Sequence, residues 1–144
     1  MTFLLDVNIL LILHDPHHQH YKPVSRWFAQ PSSRPFATCP ITESGMVRLL
    51  LQGVTGLDPF DMQDAREALQ RLVQLPNHVY WPDAPSYLEA ASALFARMQG
   101  HRQTTDAYLL GLAIHNKGKL ATLDRGIAHL AGREFAANLE IIEI

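Results

Sequence analysis

The chain has 144 residues, of which 47% are hydrophobic and 18% are charged, and this length and balance predict one globular domain over 1–144. Its single cysteine, Cys39, excludes an internal disulfide framework and a cysteine-rich zinc module. Twelve basic residues against fourteen acidic ones give a formal net charge of −2, which by itself argues against a protein that coats nucleic acid or an anionic membrane.

Short apolar runs alternate along the chain with longer helical patterns. The runs predict five strands, over 2–5, 35–38, 78–81, 119–123 and 139–142. Apolar spacing and helix-start signals predict helices over 24–29, 42–51, 62–72, 88–98 and 106–117. This alternation is typical of an α/β fold in which helices cover a parallel sheet.

Several residues are predicted to begin or end these helices. Asp58 and Pro59 provide a cap and a first residue before the 62–72 pattern. Gly100 ends the 88–98 pattern, and Thr104 or Thr105 caps the helix that contains 106–117. That last helix is apolar enough to lie inside the fold, and residues 53–59 are predicted as a loop.

Four of the fourteen acidic residues stand in unusual surroundings. Asp6 and Asp124 each follow a predicted buried strand, and ligands of parallel sheets bind at the carboxyl ends of the strands. Glu43 and Asp106 lie in the first turns of predicted helices, between apolar neighbours. Taken singly, each acid has an ordinary explanation as a helix cap or as an anion stabilised by the helix dipole.

Taken together, the four acids point to a shared site. Carboxylates that converge on one cleft repel each other, and a cation relieves that repulsion. An all-oxygen set of ligands favours Mg²⁺ or Mn²⁺ over zinc. Such ions polarise phosphoryl oxygens and activate water, so these residues suggest phosphodiester hydrolysis.

The order of the motifs resembles the PIN domain and, within it, the VapC-type toxin ribonucleases of bacterial toxin–antitoxin pairs. The motifs are LLDVNIL over 4–10, TE over 42–43, TTDAYL over 104–109 and ATLDRG over 121–126. The resemblance covers essentially the whole chain. It implies a three-layer α/β/α sandwich around a short parallel sheet of about five strands. It also implies that the catalytic, metal-binding acids are Asp6, Glu43, Asp106 and Asp124, with Glu43 binding the metal or orienting the attacking water.

Further roles follow from the same resemblance. Asn8 matches a polar residue that supports the first acid, and Thr105 and Thr122 match hydroxyl positions beside the third and fourth acids. The resemblance implies RNA cleavage with Mg²⁺ or Mn²⁺, a homodimer, and a cognate VapB-like antitoxin whose tail enters the active-site groove. Many relatives carry another acid shortly after the fourth, where this chain has Arg125 and Gly126. The number of metal ions, one or two, therefore stays open, with one ion sufficient for the resting state, and Arg125 either meets a substrate phosphate or lies in solvent.

Basic residues are expected to contact the RNA backbone. The candidates are Arg48, Arg102, Lys117, Lys119, Arg125 and Arg133. Without the four clustered acids, ten acidic residues remain against twelve basic ones, and a bound metal reverses the sign of the site itself. The net charge therefore does not exclude an RNA substrate. The start of the chain lacks a basic signal-peptide region, and no apolar run near it reaches the roughly 20 residues that span a bilayer, so a cytoplasmic protein is expected.

Two other functions stay open on the sequence alone. One is a PIN-like module that binds RNA or a protein partner without catalysis. The other is a Mg²⁺-dependent phosphatase, because Asp6-Val7-Asn8 is similar to the Asp-x-Asp opening of aspartyl-phosphate enzymes. The second aspartate of that motif, which acts as the general acid, is replaced here by Asn8.

The histidines, the cysteine and the large aromatic residues are expected to have mainly structural roles. Four histidines lie within seven positions, at His14, His17, His18 and His20. They form either a transition-metal site or, as expected more strongly, an exposed turn. Cys39 is expected to be a small buried residue, and Trp27, Trp81 and Tyr108 are expected in the core or in a dimer interface.

Overall fold

The computed structural model describes residues 1–30, 34–53 and 56–144, and five short parallel strands form its centre. The strands are β1 Phe3–Leu5, β2 Phe36–Thr38, β3 His78–Tyr80, β4 Lys119–Thr122 and β5 Leu139–Ile141. They lie side by side in the order β3-β2-β1-β4-β5, and all neighbouring strands run parallel. Each strand falls within a predicted range, so the predicted sheet is confirmed.

Helices connect the strands and cover both faces of the sheet. They are α1 Val7–Leu13, α2 Tyr21–Ala29, α3 Pro40–Gln52, α4 Met62–Val73, α5 Tyr87–Ala91, α6 Thr104–His115 and α7 Ile127–Ala131. Short 3-10 turns cover Ser92–Arg97, His101–Gln103 and Ala136–Asn138. Of the predicted loop over 53–59, residues 54 and 55 lie outside the described residues. Among the residues that the structure describes, no helix is long and apolar enough to cross a membrane.

Two hydrophobic cores lie on opposite faces of the sheet, because successive side chains of a strand point to opposite sides. Leu4 and Leu120 pack in the core that contains α5, α6 and α7. Phe3, Leu5 and Ala121 pack in the core that contains α1 to α4. The three-layer α/β/α sandwich is therefore confirmed, and the predicted burial of α6 is confirmed by its unbroken buried run from residue 107 to residue 113.

Three predicted helix boundaries are wrong. Helix α4 begins at Met62, and Asp61 caps it by accepting a 2.7 Å hydrogen bond from the backbone N–H of Asp64. Helix α6 follows Gln103 without a side-chain cap, so neither Thr104 nor Thr105 caps it. The pattern over 88–98 is α-helical only as far as Ala91 and then tightens into a 3-10 turn.

The sequence patterns also missed helices α1 and α7, which follow β1 and β4 closely. Residues 7–13 are apolar at nearly every position, so no helical period stands out from the run. Conversely, the apolar spacing that predicts helices over 62–72 and 88–98 includes Met62, Leu88 and Phe95, yet the exposed fractions of these side chains are 75%, 66% and 46%. Helical spacing at these positions therefore does not correspond to burial.

The strand order creates a crevice at one place on the edge of the sheet. From β1 the chain proceeds outward through β2 and β3, and it then returns to the other side of β1 to form β4. The connections therefore leave β1 and β4 in opposite directions, which makes the carboxyl ends of these two strands the topological switch point.

Candidate active site

Asp6 and Asp124 flank the switch point between β1 and β4. Asp6 is the residue after β1, and its backbone N–H still donates to the carbonyl of Ala121 in β4 at 3.0 Å. Asp124 follows the end of β4 by two residues. The two carboxylates are therefore brought to the same edge of the sheet from neighbouring strands.

The hydroxyl of Thr122 joins these two strand ends. Thr122 is fully buried, and its Oγ1 donates to Asp6 Oδ2 at 2.7 Å. The same oxygen accepts hydrogen bonds from the backbone N–H of Asp124 at 3.1 Å and from Asn8 Nδ2 at 3.4 Å. One side chain thus fixes the positions of Asp6, Asn8 and the start of the Asp124 turn.

Asp6 is a nearly buried carboxylate that also begins a helix. Its Oδ1 accepts from the backbone N–H of Val7 at 2.7 Å and so caps α1. Burial raises the pKa of Asp6, the hydrogen bonds from Thr122 and Val7 lower it, and the charge of Asp124 raises it further. Asp6 is therefore both the cap of α1 and a member of the acidic site.

Asp106 approaches the same place from the first turn of α6. Burial, followed by the charges of Asp6 and Asp124, raises its pKa to about 6. A carboxyl group responds in this way when like charges lie close to it. The structure therefore brings Asp6, Asp106 and Asp124 into one cluster, whereas the neighbouring Thr105 is exposed.

Glu43 lies in the first turn of α3, the helix that follows β2. Its Oε2 accepts a 2.7 Å hydrogen bond from Thr38 Oγ1 at the end of β2, and its charge acts on the pKa of His78 and of Tyr80. Glu43 is not among the charges that shift the pKa of Asp6 or of Asp106, whose partners are other aspartates. Glu43 therefore belongs to the same edge of the sheet but stands apart from the three aspartates.

The aspartates form an open cluster of oxygen ligands. Within residues 1–30, 34–53 and 56–144, no three histidine, cysteine, aspartate or glutamate side chains are grouped closely enough to hold a metal ion as they stand, so the case for a metal rests on the chemistry of the aspartates and not on their spacing. Beside the cluster, Asn8 Oδ1 is buried and has no hydrogen-bond partner among the described residues, which is unusual for a buried amide oxygen. An oxygen-only set of mutually repelling carboxylates with a further unsatisfied oxygen fits a hard divalent cation.

Three of the predicted RNA-contacting residues lie where a substrate could reach them. Arg125 is exposed directly after Asp124. Arg48 is exposed on α3 and lines a groove of about 630 Å³ that begins at Glu43. Arg102 is exposed in the turn before α6, the helix whose first turn contains Asp106.

Two other basic candidates lie at the wrong edge of the sheet. Lys119 begins β4 and Lys117 precedes it, so both lie at the amino end of the strand whose carboxyl end leads to Asp124. Lys119 also forms a 3.5 Å ion pair with Glu140. Both lysines therefore lie away from the aspartates, and their contact with RNA stays a prediction. Arg133 is exposed after α7.

The histidine cluster has the geometry of a turn. Helix α1 ends at Leu13, so His14 and His18 do not share a helical face. The ring of His14 bonds the carbonyl of Leu10 at 2.7 Å, and the ring of His18 accepts from the backbone of His20 at 3.0 Å.

The cysteine and most of the aromatic residues expected in the core are buried. Cys39 is fully buried at the start of α3. Trp81 and Tyr108 are buried, while Trp27 is half-buried with its ring edge-on to Phe3.

Sequence reasoning missed Thr38 and His78 as parts of the site. Thr38 had a weak signal, since it is a polar residue at the end of an apolar run, as Thr122 is. His78 had none, because its proximity to Glu43 depends on how β2 pairs with β3.

Comparisons with known proteins give consistent matches. The PIN domain family matches residues 3–133. Ribonuclease VapC29 of Mycobacterium tuberculosis (strain ATCC 25618 / H37Rv) is 42% identical over 132 residues, which are 92% of this chain and 92% of that protein. Ribonuclease VapC39 of the same strain is 36% identical over 131 residues, 91% of this chain and 94% of that protein. The crystal structure of VapBC2 from Rickettsia felis bound to a DNA fragment from their promoter includes a chain with a similar fold. The TM-score is 0.63 at 14% identity, over 99% of this chain and 100% of that chain.

Proposed function

Because the chain belongs to the PIN domain family and, within it, to the VapC ribonucleases, we propose that it is a metal-dependent endoribonuclease and the toxin of a toxin–antitoxin pair. Membership confirms the resemblance that the motif order indicates. The observation that supports the proposal most is the pKa of Asp106, which burial and then the charges of Asp6 and Asp124 raise to about 6.

These three aspartates would hold one Mg²⁺ or Mn²⁺ ion. Their oxygen-only chemistry and their mutual repulsion fit such an ion, and the position after Asp124 carries Arg125 rather than a further acid. When bound, the ion polarises a phosphoryl oxygen, lowers the pKa of water and stabilises the leaving oxygen. Thr122 and Asn8 keep Asp6 in place through their hydrogen bonds.

Glu43 has a different role from the three aspartates in this proposal. It lies at the same edge of the sheet and accepts a hydrogen bond from Thr38, so we assign it to orient the attacking water and accept its proton. The water oxygen forms a bond to phosphorus, and the bond from phosphorus to the leaving nucleotide oxygen breaks. Arg125 and Arg48, exposed beside Asp124 and Glu43, would contact phosphates of the RNA strand.

We also propose the partners that the family membership suggests. The related proteins are named as VapC ribonucleases, and the similar fold comes from a VapBC assembly. Both support a VapB-like antitoxin as the partner of this chain, which would act as a homodimer on RNA in the cytoplasm.

The test is RNA cleavage by the purified protein with Mn²⁺ or Mg²⁺. Asp6→Asn, Asp106→Asn and Asp124→Asn keep the size of each side chain and remove its charge, and each is expected to lower the cleavage rate by about 10²–10³-fold. Asp64→Asn makes the same change on the exposed surface of α4, and it should cleave like the wild type.

Folded aspartate variants that cleave as fast as the wild type would exclude these residues as the site. A wild type that binds RNA, cleaves none of it with either metal and is not toxic when expressed would favour the non-catalytic binding module.

A further inference from the structure

Two residues that the proposed reaction does not use hold the side chain of Glu43. Thr38 is fully buried at the end of β2. Its Oγ1 lies 2.7 Å from Glu43 Oε2 and 2.7 Å from Nε2 of His78. A chain of two short hydrogen bonds therefore leads from His78 in β3 to the carboxylate in α3.

The sheet fixes the position of the His78 ring. Strands β2 and β3 pair so that His78 lies opposite Phe36 and Tyr80 lies opposite Thr38. The rings of Phe36 and His78 pack edge to face, with their centroids 5.3 Å apart. This packing holds Nε2 of His78 toward the hydroxyl of Thr38.

The protons in this chain can be placed by counting donors. A carboxylate accepts hydrogen bonds and donates none, and a threonine hydroxyl has a single proton. The Thr38 proton is therefore directed to Glu43, and the contact with His78 needs a proton on Nε2. Burial lowers the pKa of His78, and the charge of Glu43 offsets this only in part, so at neutral pH the ring is neutral with its proton on Nε2.

We propose that His78 and Thr38 are positioning residues for Glu43, an inference that rests on the proposed function. The hydrogen bond from Thr38 occupies Oε2, which leaves Oε1 as the oxygen that meets the attacking water. A glutamate side chain in the first turn of a helix has several rotamers, and this chain of hydrogen bonds selects one of them.

The kinetic test compares two substitutions of His78. His78→Leu removes the donor while keeping apolar packing against Phe36, and it should lower kcat by about 10-fold with KM for an RNA oligonucleotide unchanged within about 2-fold. His78→Gln keeps an N–H donor and should restore most of the lost rate. Equal kcat in His78→Leu and the wild type, or an equal loss in both variants, would overturn the proposal.

A second comparison asks whether His78 acts through Glu43. In a Glu43→Gln background, where the carboxylate is already absent, His78→Leu should cause no further loss of rate. A further loss of about 10-fold in that background would mean that His78 acts on the substrate or on the fold, and it would overturn the proposal. Thr38→Val should reproduce the loss seen in His78→Leu, and Thr38→Ser should retain activity.

A spectroscopic readout separates this inference from the proposed function. In ¹H–¹⁵N spectra of the metal-free protein, the Nε2 proton of His78 should be protected from exchange. The signal should vanish in His78→Gln, which assigns it, and exchange rapidly in Thr38→Val. A wild type that cleaves RNA but lacks the protected proton overturns the hydrogen-bond chain. A wild type that shows the proton but cleaves no RNA overturns the proposed function instead.

Discussion

At the scale of single residues, the fold gathers negative charge where water is partly excluded. Asp106 has a pKa of about 6, compared with an ordinary value of 3.8, because it is partly buried and faces Asp6 and Asp124. Between these two values the folded protein binds more protons than the unfolded chain does. Stability is therefore greatest below the lower value and is lost as the pH rises through about 6.

Asp106→Asn should remove this loss of stability above pH 6, since the amide is neutral at every pH. With a chelator present, we expect the variant to be more stable than the wild type by about 1–2 kcal/mol at pH 7.5. The difference should shrink to near zero below pH 4. Urea unfolding over this pH range measures it, with Asp64→Asn as the control that shows no such trend. A gain in stability that is the same at every pH would contradict the electrostatic cause.

The acidic residues of the site could be predicted because each interrupts an apolar run or opens an apolar helix. The division of these residues into three aspartates and a separate Glu43 could not be predicted, because it depends on which strands are neighbours in the sheet. The hydrogen bond of Thr38 with His78 joins residues on two strands far apart in the chain, and only the pairing of β2 with β3 brings them together. Local sequence patterns contain no information about that register.

At the scale of elements, the strands were predictable and the helix ends were not. A run such as 119–123 has few alternatives to a buried strand, whereas Asp58 and Asp61 can both cap α4. Asp61 is the cap because its carboxylate reaches the N–H of Asp64, and tertiary packing decides such a choice. The apolar spacing at Leu88 and Phe95 was misleading, since Leu88 on α5 and Phe95 in the 3-10 turn after it are both exposed.

The packing of α5 against α6 gives a prediction at this scale. Gly111 is buried in α6, and a Cβ atom there would clash with the backbone carbonyl of Ala90 in α5. Because the obstacle is backbone, Gly111→Ala should destabilise the protein by about 1–3 kcal/mol. Gly100→Ala is the control, since in the described part of the chain no atom beyond its sequence neighbours lies within 4 Å of its new Cβ. Equal unfolding midpoints for the two variants would contradict this close approach.

At the scale of the whole molecule, the strand order explains how a slightly acidic chain can act on a polyanion. The return from β3 to β4 places Asp124 beside Asp6, and α6 adds Asp106 to the same crevice. A bound divalent cation would make that crevice attractive to phosphate, while Arg125 follows Asp124 directly and Arg48 lines a groove that begins at Glu43. The net charge of −2 is thus the sum of an acidic centre and a more basic remainder.

The same arrangement predicts how metal binding changes stability. A ligand that binds only the folded state stabilises it, by about 2.7 kcal/mol at 100 times its Kd, which corresponds to a rise in Tm of about 5–10 °C for a chain of this size. We therefore expect Mn²⁺ to raise the Tm of the wild type and EDTA to reverse the rise. Asp124→Asn should lose the effect, because it removes one of the three clustered carboxylates.

Glu43→Gln provides the more informative comparison, because Glu43 stands apart from the aspartates and is engaged by Thr38. We expect this variant to retain the Mn²⁺-dependent rise in Tm while losing most but not all of its RNA cleavage, because orienting water requires the carboxylate and holding the ion does not. Thermal unfolding with and without Mn²⁺, measured alongside cleavage, separates the two functions. If Glu43→Gln loses the rise as completely as Asp124→Asn does, then Glu43 is itself a metal ligand, and the proton of the attacking water must be taken by another group.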